Sequence, residues 1–270
     1  MTSAELPVSH DQAAPLLESN PHAGPAPVWT AIAAQARMEL RLLLRSGESV
    51  LVTLGIPLGI LVFFSQVDVL PTGDRDPLTF LVPGVLAISV MSTAFVAQSI
   101  QTAFERKYGV LKRLGASPLS RPAFLAAKGL SVVALLIVQT LLVLGTARLG
   151  LDWDAEANGL LAVVLGLAAG TWTFSAMGLL IAGTLRAEGT LAVVNALYLV
   201  LLGVSGVMFD ADALPGRMAD LGGLLPSGAL GEVFREGLAT GAVAWGALAV
   251  LALWGAVATL AAARLFRWEP

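Results

Sequence analysis

Long apolar runs, broken by short polar connections, dominate the chain. Six of them, at about 49–67, 80–103, 124–147, 159–184, 190–208 and 241–263, approach the ~20 residues that an α-helix needs to cross a hydrocarbon core. The pattern predicts an all-α integral membrane protein with six transmembrane helices. The first run is the shortest and holds Pro57 inside Gly55-Ile-Pro-Leu-Gly59, so a kink and a small-xxx-small packing face coincide there. Gly166 and Gly170 repeat that spacing in the fourth run. Both pairs read as places of close helix packing.

Residues 1–27 are rich in Pro, Ala and Ser, have no apolar run, and read as a disordered cytoplasmic leader. Over residues 28–48, Trp29, Ile32, Ala36, Leu40 and Leu43 recur on one helical face, and Arg37, Arg41 and Arg45 on another. An apolar stripe offset from a basic one suits a helix lying in the headgroup region of an anionic leaflet. The alternative is that these are the lead-in turns of the first span. A transmembrane domain follows over residues 49–268. Within it, residues 209–240 are too polar to span. They keep Leu214, Met218, Leu221, Leu225, Leu230, Val233, Phe234 and Leu238, as expected of short helices dipping into the outer interface.

Composition removes the soluble alternative. Apolar residues make up 56% of the chain and charged ones only 13%, with a mean hydropathy of +0.80. Soluble domains run about 25% charged. With the leader inside, the inner connections hold Arg37, Arg41, Arg45, Arg106, Lys107, Lys112, Arg113, Arg121, Lys128, Arg186, Arg264 and Arg267, and the outer ones only Arg75, Arg148, Arg217 and Arg235. This bias predicts that both termini are cytoplasmic. A net charge of −3 gives no sign of a nucleic-acid partner.

The chemistry of most enzyme classes is missing. There is no Gly-x-x-x-x-Gly-Lys-[Ser/Thr] to cradle a nucleotide, no His-Glu-x-x-His, and no cysteine for a thiolate site. Gly203-Val204-Ser205-Gly206 matches the Gly-x-Ser-Gly of rhomboid-type intramembrane proteases, but that chemistry needs a histidine base at membrane depth. Both histidines, His10 and His22, lie in the leader. No catalytic residue and no metal site is expected. Ionisable residues are also expected to be absent from the spans, whose polar set is neutral: Ser89, Ser92, Thr93, Gln98, Gln139, Thr140, Thr171, Ser175 and Asn195. Most of these are expected to pack helices together. Ion-coupled carriers keep a charge near the midplane, so energy for transport is expected from outside this chain.

The connection between the second and third runs is the most specific feature. It reads Gln101-Thr-Ala-Phe-Glu105-Arg106-Lys107-Tyr108-Gly109-Val110-Leu111-Lys112-Arg113-Leu114-Gly115-Ala116-Ser117-Pro118-Leu119-Ser120-Arg121. The pattern predicts a short surface helix with Leu111 and Leu114 on one side and Lys112 and Arg113 on the other, broken at Ser117-Pro118. Such a helix would either anchor on an anionic leaflet or dock a cytoplasmic partner.

Glu105, Arg106, Gly109, Leu111 to Leu114, Ser117 to Ser120 and Lys128, in that order, resemble the type-2 ABC exporter permeases, above all the daunorubicin-exporter-like drug-efflux group. The resemblance implies that this segment is the family's coupling helix, which inserts into a groove on an ATPase subunit. Its coupling residues would be Glu105, Arg106, Gly109, Leu111, Lys112, Arg113, Leu114 and Pro118. Lys107 stands where the family commonly has a second acid. Leu214-Pro215, Leu225-Pro226 and Phe234-Arg235 are similar to the family's two short extracellular helices between the fifth and sixth spans, with Leu225 in place of its usual Asn.

The resemblance covers roughly residues 28–268 and implies the permease subunit of an exporter in an inner or plasma membrane. A second permease copy, the same chain or a related one, would complete the path. Two copies of a separate cytoplasmic ATPase would bind ATP and magnesium, leaving this chain without a cofactor. The expected cargo is an amphipathic or lipophilic compound, such as a drug, antibiotic or lipid. Candidate path residues are Phe63, Phe64, Ser92, Phe95, Gln98, Asn195 and Tyr198. Two alternatives stand beside this reading: a permease for a polysaccharide or another polymer, and an ATP-independent channel or carrier.

Overall fold

The computed structural model describes residues 27–45, 47, 51–67, 77–110, 121–154, 159–207 and 222–267. Among them no strand occurs. An N-terminal helix, Val28–Arg45, precedes the spans Leu51–Gln66, Pro77–Lys107, Arg121–Gly150, Gly159–Thr184, Ala187–Val204 and Trp245–Leu265, and a further helix, Pro226–Thr240, sits between the last two. Five of these helices are long and apolar enough to cross a membrane, and Leu51–Gln66 is a shorter apolar helix. All six expected spans are therefore helical. The leader and the first expected outer helix, with Leu214, Pro215, Met218 and Leu221, lie outside the described residues.

Pro57 explains the local form of the first span. Five residues, Leu51–Gly55, form a π-helical turn, and the α-helix starts at Ile56 with Pro57 in its first turn, where a missing N–H leaves no gap in the ladder. In a continuous α-helix the carbonyl of Thr53 would look to the N–H that Pro57 lacks. Here it accepts a hydrogen bond from Gln139 Nε2 of the third span at 2.6 Å. The expected packing at Gly55 and Gly59 is not made among the described residues. A Cβ at Gly59 would have nothing within 4 Å, and one at Gly55 would meet only Leu51 of its own preceding turn.

The second span is the axis of the molecule. In its most apolar window 78% is buried, against 22% for the fifth and sixth spans. It packs against the first, third, fourth and fifth spans and against Pro226–Thr240. Residues Met91–Ala97 near its middle are π-helical.

The helix Pro226–Thr240, the second of the expected short helices between the fifth and sixth spans, packs into the bundle. Leu225 is extended, Pro226 opens the helix, and Gly241 closes it at φ 74°. Ala229, Leu230, Val233 and Phe234 are fully buried. The reason lies in the fourth span, whose glycines leave a groove. A Cβ at Gly166 would stand 2.6 Å from Phe234 Cε1, and one at Gly170 2.7 Å from Leu230 Cδ1. A Cβ at Gly159 would stand 2.6 Å from the Gly237 carbonyl oxygen. The groove thus offers Leu230 and Phe234 a burial that a headgroup layer would not.

At one end of the bundle the N-terminal helix lies against the start of the third span, with Ile32 and Ala36 packed on Ala123 and Ala127. Arg37, Arg41 and Arg45 face outward as expected, but Trp29 is 80% exposed and stands apart from the buried stripe. The last span returns to the same end, where Arg267 N–H donates to the Gly183 carbonyl at 3.0 Å. We call this the basic end.

Candidate functional site

At the basic end the second span stops at a glycine. Tyr108 N–H donates to the Phe104 carbonyl at 2.9 Å, Gly109 N–H to that of Arg106 at 3.1 Å, and Gly109 takes φ 70°. A left-handed residue closing a helix is the role glycine fills without a Cβ clash. Val110 is the last described residue before the connection. Leu111, Lys112, Arg113, Leu114 and Pro118 lie outside the described residues.

In the turn before that stop, three charged side chains reach in three directions. Glu105 points to the third span, where Lys128 Nζ donates to Oε1 at 2.9 Å and lies 2.9 Å from Oε2. Lys128 is 1% exposed and also stands 3.8 Å from Glu39 Oε1 of the N-terminal helix. Each carboxylate has a further donor: Gln101 Nε2 bonds Glu105 at 3.0 Å, and Ser131 Oγ bonds Glu39 at 2.9 Å. Arg106 turns to the bundle and donates to the carbonyls of Leu185 and Arg267, the latter at 3.4 Å. These carbonyls close the fourth and sixth spans, where a cation satisfies orphan acceptors and opposes the helix dipole. Lys107 stays at the surface, bonded to Glu188 at the start of the fifth span and 5.6 Å from the Phe104 ring centroid.

One helical turn therefore ties together the N-terminal helix and the third to sixth spans. Glu105 and Arg106 are bonded inside the chain. One sequence expectation changes here: the spans are not free of ionisable groups, because Lys128 is buried inside the third. Its charge is tolerable because two carboxylates surround it. Glu39 went unread, although a signal existed. It is the lone acid of the N-terminal helix and sits three residues after Ala36, on the face that carries Ile32.

Deeper in the bundle, Gln139 joins the two π-helical turns. Its Nε2 serves Thr53, and its Oε1 accepts from Thr93 Oγ1 at 3.2 Å. Ser89, Ser92 and Asn195 bond carbonyls of their own helices.

The sequence model of the ABC-2 type transporter family matches residues 30–238, well over half of the chain. The chain belongs to the ABC-2 type transporter family. No curated protein sequence matches it. As an ABC-2 permease it is a multi-pass membrane subunit of an ABC-type transporter. The matched region starts in the N-terminal helix and ends at Leu238 of the inserted helix, so it contains Glu39, Glu105, Arg106 and Lys128.

In this ABC-2 permease the candidate path residues do not share one surface. Phe95 is fully buried against Phe174, with ring centroids 6.2 Å apart. Gln98 is 4% exposed and borders both a cavity beside the third, fourth and sixth spans and a small pocket shared with Thr93, Gln101 and Lys128. The other five occupy accessible positions on the first, second and fifth spans. Ser92 lies with Val96 and Ile100 on the half-exposed stripe of the second span. Phe63 is exposed and Phe64 half-buried, their rings edge-on at 5.2 Å, while Asn195 is exposed and Tyr198 half-buried.

Proposed function

We propose that two copies of this permease, with two copies of a separate ATPase bound at the basic end, export an amphipathic or lipophilic compound. The basic end is then cytoplasmic, as the positive-inside bias requires. The observation that carries the reading is the junction at Glu105, Arg106 and Lys128. A docked ATPase that shifts residues 108–120 pulls on five helices at once through these side chains. In this reading Leu111, Lys112, Arg113, Leu114 and Pro118 make the docking contacts, while Glu105 and Arg106 transmit the movement. ATP and magnesium are held by the ATPase, so this chain needs no cofactor.

The path forms between the two copies, along the first, second and fifth spans. Phe63, Phe64, Ser92, Asn195 and Tyr198 offer it aromatic and neutral polar groups, which suits a lipophilic cargo of the daunorubicin kind better than a charged polymer. The open Gly55–Gly59 face of the first span gives the second copy a place for close approach.

The chain has no cysteine, so a single Tyr108→Cys reports without background. Labelled with benzophenone-maleimide, it should photo-cross-link to the co-purified ATPase. Glu105→Gln in that background should keep the cross-link but lower ATP-driven dye export about tenfold or more. Export at the wild-type rate in Glu105→Gln, at matched expression, would remove the junction from the mechanism.

A further inference from the structure

A cavity of about 650 Å³ lies beside the second, third, fourth and sixth spans, and no residue of the first or fifth lines it. Val133, Thr171, Trp172, Ser175 and Phe266 form much of its wall, and among the described residues no charged side chain borders it. Trp172 Nε1 and Thr259 Oγ1 satisfy each other at 3.1 Å. Gln98 and Ser175 differ. Both nitrogen and oxygen of the Gln98 carboxamide, and Ser175 Oγ, have no hydrogen-bond partner among the described residues. Gln98 is 4% and Ser175 8% exposed. Polar groups left unpaired at membrane depth are costly. Thr102 and Thr190 are also buried without a partner among the described residues, but of these only Gln98 and Ser175 line this cavity, while Gln139, Thr93 and Ser89 are bonded.

We propose that this cavity binds an uncharged amphipathic molecule drawn from the bilayer, with a hydroxyl or carbonyl on Gln98 and Ser175 and its apolar body along Val133, Trp172 and Phe266. The volume falls in the range of small-molecule sites. The uncharged lining disfavours a charged headgroup, and a bare acyl chain would leave the carboxamide unpaired. The carboxamide offers one donor group and one acceptor, which a hydroxyl or ester end matches. The site stands whether or not its ligand is carried across the membrane.

The test uses the full chain in phosphatidylcholine nanodiscs with a diazirine-bearing monoacylglycerol as the probe. Light should label peptides of Gly159–Thr184 and Trp245–Leu265, and excess unlabelled monoacylglycerol should compete the labelling away. Gln98→Leu keeps the shape and removes the hydrogen bonds, so the competing concentration should rise about five- to tenfold. Ala176→Phe, which fills the cavity, should abolish competed labelling in protein that still elutes as a folded species. Labelling that a matched phosphatidylcholine probe reproduces equally marks ordinary annular lipid and overturns the proposal. So does competition unchanged by Gln98→Leu.

Discussion

Lys128 is the side chain on which the basic end depends. It sits 2.9 Å from Glu105 and 3.8 Å from Glu39, almost without solvent. Lys128→Met should therefore cost about 3–5 kcal/mol, because the buried Glu39 and the partly buried Glu105 lose their shared cation. Adding Glu39→Gln and Glu105→Gln should recover most of that loss, read as thermal unfolding of the purified protein in detergent. Equal stability of Lys128→Met and wild type would mean the cluster holds nothing together. The glycines separate in the same way. At Gly166 a Cβ presses on Phe234, itself fully buried and unable to yield, so Gly166→Ala should cost about 1–3 kcal/mol. At Gly59 the space is open, and Gly59→Ala should leave the stability of the single chain unchanged or slightly higher. Identical destabilisation by both substitutions would contradict the assigned packing.

Among the elements, those with a strong apolar pattern were legible and those fixed by a partner were not. Six spans could be read from hydropathy because the bilayer demands ~20 apolar residues from each. Gly55–Gly59 and Gly166–Gly170 have the same spacing, and nothing in the spacing says that one faces Phe234 and the other open space. The inserted helix has too few apolar residues to span, and its burial rests on a groove in a distant segment. The segment that resembles the family's coupling helix was visible as a motif, but the inward turn of Glu105 and Arg106 depends on Lys128, Leu185 and Arg267, which only the fold brings near. The π-helical turns belong with these non-local features. Gln139 supplies the donor that Pro57 withholds from Thr53, so Gln139→Leu leaves that carbonyl unpaired at a cost of about 1–3 kcal/mol. Hydrogen exchange across Leu51–Gln66 should then rise selectively. Protection there equal to wild type would show that the first span does not rely on Gln139.

For the whole molecule, the charge distribution and the junction point the same way. The arginines and lysines gather at the end where the second span stops at Gly109, and the charged turn before it holds five helices. Under the proposed function, these contacts would carry a force applied at the connection beyond Gly109 to five helices. The central claim is therefore that the energy comes from a bound ATPase. Inside-out proteoliposomes containing the co-purified complex test it by accumulation of a lipophilic dye. Accumulation should require ATP, stop with vanadate, and vanish when this chain is reconstituted alone, whatever proton or sodium gradient is imposed. Gradient-driven accumulation by this chain alone would contradict the claim and favour an autonomous carrier.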